Sequence, residues 1–112
     1  MHKISIEALA RQQLNAAADA RDSSLRAADT VFGGHEKVLR QTVVGLLKGA
    51  QIAERENHDE ATIYVLEGRV RLWAGELSWQ ARRGDLLIVP DARHSLVAVE
   101  DSAVLITIAK LS

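Results

Sequence analysis

The chain has 112 residues, 47% hydrophobic and 26% charged, which is enough for one domain around one core. Lys and Arg number 14 against 15 Asp and Glu, a formal net charge of −1 that excludes a strongly basic nucleic-acid footprint as the main function. With no cysteine, disulfides, thiolate metal sites and a cysteine nucleophile are excluded as well.

The first 24 or so residues are rich in Ala, Gln, Asp and Arg, which favour helix. Ile6, Leu9, Ala10, Leu14 and Ala17 fall on one helical stripe. Ser5 suits the N-cap, Glu7 suits the first turn, and Asp22, Ser23 and Ser24 read as the exit. A stripe made mostly of alanine gains little on burial, so this helix depends on packing against the rest of the chain. The domain reading is a helical segment over 1–28 that packs on a β-barrel over 29–112.

From Thr30 onward Val, Ile, Leu, Thr and Trp dominate, and turn signals recur at short intervals: Gly49, Asn57-His58-Asp59, Gly68, Gly75, Gly84, Pro90-Asp91 and Asp101-Ser102. That spacing predicts strands over 38–47, 51–55, 61–67, 69–73, 77–82, 85–89, 94–99 and 103–109, with a further extended segment at 30–32. No helix-length segment separates the strands, so parallel βαβ units do not fit, and the fold is an all-β sandwich or small barrel. The segments 86–89 and 104–106 are apolar on both faces and need cover on both sides. The long apolar segment 38–47 would make a poor free edge. A homodimer is therefore expected. The apolar runs are too short to span a bilayer, no basic start leads into a continuous apolar core, and a cytoplasmic location is expected.

Two stretches carry a resemblance. Gly49 to Gly68 reads GAQIAERENHDEATIYVLEG, and Gly84 to His94 reads GDLLIVPDARH. Together they resemble the two motifs of the cupin superfamily, G-x5-H-x-H-x3-4-E-x6-G and G-x5-P-x-G-x2-H-x3-N, over residues 48–110. The resemblance implies an RmlC-like jelly roll, a double-stranded β-helix barrel preceded here by a short N-terminal helix. Gly68 and Gly84 would supply turns with positive φ, Asp85 a local backbone bond, and Pro90 a strand end. Such a barrel leaves a mouth that can hold one small ligand.

The metal-binding part of the motif is degenerate. Counting back from Gly68, the family's glutamate falls on Ala61, and its histidines fall on Arg55 and Asn57 or, in the other spacing, on Glu54 and Glu56. His94 matches the histidine of the second motif, while Ala92 stands at its glycine and Ala98 at its asparagine. No metal or other cofactor is expected; a divalent metal on His58 and His94 is the weaker alternative, because such an ion needs three or four donors. Arg55, Asn57 and His94 are instead the candidate ligand-binding residues. Strand parity puts Ala53, Arg55 and Asn57 on one face and Ala61, Ile63 and Val65 on one face of the next strand, with Trp73 or Trp79 as further lining. An arginine there suits an anionic small molecule.

The resulting function is a small-molecule-binding cupin without the usual metal. The alternative is a cupin enzyme, either a metal-dependent oxygenase or a metal-free isomerase or epimerase. The metal-free version needs an acid–base partner for His94, and Tyr64 has the wrong parity for it. Direct nucleic-acid binding and membrane association are not expected, since a single N-terminal helix offers no second recognition helix.

Overall fold

The computed structural model describes residues 3–20, 23–55 and 59–110, with residues 54 and 55 described by backbone alone. One helix, α1 (Ile6–Asp19), precedes nine strands: β1 (Arg26–Phe32), β2 (Leu39–Leu46), β3 (Gln51–Arg55), β4 (Glu60–Glu67), β5 (Arg69–Ala74), β6 (Leu77–Arg82), β7 (Leu86–Ile88), β8 (His94–Ala98) and β9 (Ser102–Ala109). The strands form two sheets, ordered β1-β2-β9-β4-β7 and β3-β8-β5-β6, and every pairing is antiparallel. From β2 to β5 the chain changes sheet at each connection, and it does so again from β6 to β9. This is the jelly roll expected from the sequence.

The core lies between the sheets, where alternate residues of each strand meet. Val44, Leu46, Ile63, Val65 and Val104 from the larger sheet face Val70, Leu72, Leu96 and Ala98 from the smaller one. The register stacks these residues in rows: Ala28, Val44, Val104 and Val65 form one row, and Thr30, Thr42, Ile106, Ile63 and Leu87 form the next.

α1 lies on the outer face of the larger sheet. Ser5 caps it by accepting a bond from the Ala8 amide at 3.2 Å, and Ala10, Gln13 and Ala17 are its buried residues. The helix approaches β2 at Gly45, where a Cβ would run into the Gln13 backbone and stand 2.6 Å from the Leu14 nitrogen. Glycine is thus required there by the helix rather than by the strand. The helix ends earlier than its propensity suggests. β1 starts at Arg26, and Arg26-Ala27-Ala28 is drawn into strand by pairing with Leu46, Gly45 and Val44. Tertiary pairing overrides the helix propensity of alanine at this point.

The apolar segments find cover unequally. β2 is not an edge, because β1 and β9 flank it. β9 is flanked by β2 and β4 and touches α1. β7 is an edge strand, and its outward Leu86 and Ile88 are 55% and 69% exposed.

Two tight joints close the barrel end opposite the mouth. Gly68 takes φ +80°, and a Cβ there would collide with the Asp101 carbonyl oxygen. Beside it, the fully buried Ser102 hydroxyl accepts from the Arg69 amide at 2.9 Å and lies 2.7 Å from the Glu100 carbonyl oxygen, to which it donates. This joint ties the start of β5 to the start of β9.

Two substitutions test the packing. Ser102→Ala leaves the Arg69 amide without this acceptor and is expected to cost about 1–3 kcal/mol in urea denaturation. Gly45→Ala is expected to lose about 1–3 kcal/mol by forcing α1 off β2, with amide exchange rising across the helix.

Candidate functional site

A cleft of about 700 Å³ opens between the sheets at the β1–β3 side. Its apolar lining includes Val44, Ile52, Ile63, Val89, Ile106 and Ile108; its polar lining is Ser24, Arg26, Thr30, Arg40, Thr42, Asp59 and His94. The inward residues of β2 set the gradient. Arg40 and Thr42 are half-buried, whereas Val44 and Leu46 are sealed in the core.

The two lining arginines differ in role. Arg26 donates from Nη1 to the Gln51 carbonyl oxygen at 2.6 Å, linking the edge strands β1 and β3 of different sheets. It sits opposite Leu46, six residues along β2 from Arg40, so the two Cα positions are roughly 20 Å apart. One small anion cannot engage both. Arg40 lies at the mouth, in a row with Ile108 and Ala61, and its guanidinium makes no hydrogen bond or ion pair among the described residues.

His94 lines the same cleft from β8. Gln51, beside Arg26, pairs with Val97, so His94 lies at the opposite end of that strand pair, on the side of Arg40. Its Nδ1 is 3.1 Å from the Ala92 carbonyl oxygen. A carbonyl can only accept, so Nδ1 carries the proton and Nε2 is left for the cleft.

The backbone register sets Arg55 opposite His94. A bulge lies between Ile52 and Arg55, so the parity that would put Arg55 on the face of Ala53 does not run through it, and Ile52 and Ala53 both line the cleft. The Arg55 side chain, Asn57 and His58 lie outside the described residues. Tyr64 faces away from the cleft, as its parity predicts, and borders a groove beside α1.

Trp73 and Trp79 correct an expectation, since neither lines the cleft. Trp73 faces outward with the Arg71 guanidinium 5.8 Å from its ring centre. Trp79 sits on edge strand β6, on the far side of the smaller sheet from β3. Arg40, Thr30 and Thr42 were missed by sequence reasoning; their signal was the alternation Arg40, Thr42, Val44, Leu46, which changes from polar to apolar on one face of one strand.

The donor set was tested against a divalent metal. Among the described residues no group of three His, Cys, Asp or Glu side chains stands close enough to hold an ion. His94 and Asp59 line the cleft together with Arg26 and Arg40, and these described residues do not fit a metal centre.

Comparison with known proteins agrees with the fold. No curated protein shows significant similarity to the chain. A conserved protein of unknown function from Streptococcus pyogenes superposes with a TM-score of 0.72 at 22% identity, over 81% of this chain and 79% of its own. An RmlC-like cupin from Desulfovibrio desulfuricans gives 0.66 at 26% identity, over 75% and 81%. KdgF from Halomonas sp. gives 0.68 at 20% identity, over 84% and 87%. Residues 42–109, more than half of the chain and all of the strands from β3 to β9, match the Cupin domain family, and the chain belongs to that family.

Proposed function

We infer that this cupin binds a small carboxylate in the barrel cleft without help from a metal ion. One observation carries the reading: the half-buried Arg40 lines a cleft with both polar and apolar walls and has no carboxylate partner among the described residues. A guanidinium without a protein anion can grip a ligand carboxylate with two parallel bonds. The single mouth arginine suits a monoanion, and the isoleucines below it suit a short aliphatic body. His94 Nε2 supplies a second polar contact. Arg55, whose backbone pairs with His94, belongs to the same reading, and Asn57 is carried into it from the sequence alone. Asp59 is the carboxylate among the described lining residues.

An enzyme remains the alternative class. Its metal-free version would rest on His94 with Asp59, since Tyr64 lies outside the cleft. The binding reading requires neither proton transfer nor a metal. Cytoplasmic residence is part of the proposal, in keeping with a chain that has no cysteine. Direct nucleic-acid binding is not part of it. Among the described residues no helix is long and apolar enough to cross a membrane.

The proposal includes a homodimer. On the outer face of the larger sheet, Tyr64, beside the groove that α1 borders, pairs with Leu86, and Thr62 pairs with Ile88 at the sheet edge. A second copy seated on this strip would cover the apolar edge that the chain leaves open. Light scattering at micromolar concentration should give twice the chain mass, and Leu86→Lys with Ile88→Lys should halve it; a wild-type monomer mass would remove the dimer.

For the cleft, titration with hexanoate followed by amide NMR shifts should map binding to β2 and β8. Arg40→Met should weaken it at least roughly tenfold, as expected for loss of a charge-assisted pair. Arg40→Lys should recover part of the affinity, and a chelator should leave it unchanged. Equal affinity in Arg40→Met, or loss on chelation, would refute the reading.

A further inference from the structure

Resting on the carboxylate reading of the cleft, we propose that the Thr30–Thr42 hydroxyl pair is a second recognition point, so that the ligand class is a short-chain carboxylate bearing a carbonyl or hydroxyl oxygen a few bonds from its charged end. Thr30 and Thr42 stand opposite each other on β1 and β2, with their Oγ1 atoms 3.2 Å apart. Both line the cleft. Thr30 is exposed and Thr42 half-buried at the open side of the cleft; Ala28 and Val44 form the row below, and Ile106 and Ile63 continue their own row across the sheet.

Proton counting gives the pair its function. Two hydroxyls carry two protons, and the bond between them uses one. Neither threonine makes another side-chain hydrogen bond among the described residues. One O–H is therefore free to donate into the cleft. An aliphatic ligand that covers this O–H strips it of water and leaves it unmatched, which costs free energy, whereas a ligand with an acceptor oxygen at that point does not incur the cost.

Spacing couples this donor to the arginine. Thr42 and Arg40 lie two residues apart on one face of β2, with Cα atoms about 7 Å apart. A carboxylate held by Arg40 thus directs the following carbons past the hydroxyl pair. An acceptor oxygen on those carbons satisfies the free O–H, and a plain fatty acid does not.

The test compares two probes, hexanoate and 5-oxohexanoate, on the full chain. Wild type should bind the oxo acid roughly fivefold more tightly, the value of one neutral hydrogen bond. In the Thr30→Val/Thr42→Val double variant that ratio should fall to about one, whereas either single variant keeps one free hydroxyl and should keep the preference. Thr30→Ser/Thr42→Ser, which keeps both hydroxyls, should match wild type, and Thr30→Ala/Thr42→Ala provides a second double variant should the first fail to fold. Equal binding of both acids by wild type, with Arg40 still required, would overturn the hydroxyl point and leave the carboxylate reading standing. A ratio that survives in the double valine variant would also overturn it. Binding of neither acid would overturn both.

Discussion

The inward face of β2 is the constraint on which this molecule turns. A strand offers one residue in two to each face, and β2 uses that parity to present Arg40, Thr42, Val44 and Leu46 in order. The sequence of side chains runs from a charge at the mouth to hydrocarbon sealed at the closed end. Because β2 lies between β1 and β9, each step continues sideways into a row shared by neighbouring strands. The barrel is therefore closed at one end by packing and left polar at the other by the same register. A one-residue slip of β2 would turn Arg40 and Thr42 outward and point Gln41, Val43 and Gly45 at the core, leaving it with little volume to fill. The site and the core thus share one specification.

The covering helix obeys the same register from the other side. Gly45 is the outward residue between Val44 and Leu46, and its missing side chain lets α1 come down onto the sheet. This close approach explains how a helix whose stripe is mostly alanine is held: small residues gain little by area but allow dense contact. The smaller sheet has no such cover. Its outer face carries Arg71 over Trp73, bonded also to Ser78 at 2.9 Å and Gln80 at 3.1 Å. These polar cross-strand ties suit a face in contact with water. The two faces therefore differ in kind, and Leu86 and Ile88 of the edge strand β7 are among the exposed apolar residues.

The sequence revealed the architecture more fully than the site, for physical reasons. Turn residues are local signals, so Gly68, Gly84 and Asp85 could be placed from their neighbours alone; both glycines take positive φ and the Asp85 carboxylate accepts from the Arg82 amide. The apolar alternation of β4 and β5 likewise located the core. Two features were not local. The bulge in β3 shifts the count between Ile52 and Arg55, and nothing in the stretch Gln51-Ile52-Ala53 announces it. Arg26 and Arg40 lie on neighbouring strands of one hairpin, yet one is used to join two sheet edges and the other is not. That difference depends on Gln51, 25 positions from Arg26 in the chain, and appears only when the sheets face each other. The tryptophans show the converse: aromatic rings near a supposed mouth suggest a lining, but the strand order sends β6 to the far edge.

The cupin motif and the cleft tell a consistent electrostatic story. A divalent ion in such a barrel depends on several neutral or anionic donors converging on one point. Here the family's glutamate position is Ala61, which shares a row with Arg40 through Ile108. An anionic donor has given way to a methyl group, and a fixed cation stands two strands away. Each change alone weakens the attraction of the cleft for a metal cation. Both act in the same direction, since the guanidinium repels a cation that a carboxylate at position 61 would attract. On the carboxylate reading proposed for the cleft, the same two positions supply a positive group beside an apolar wall. The frame fixes where the mouth is; the charge of one side chain on β2 decides what it is suited to receive.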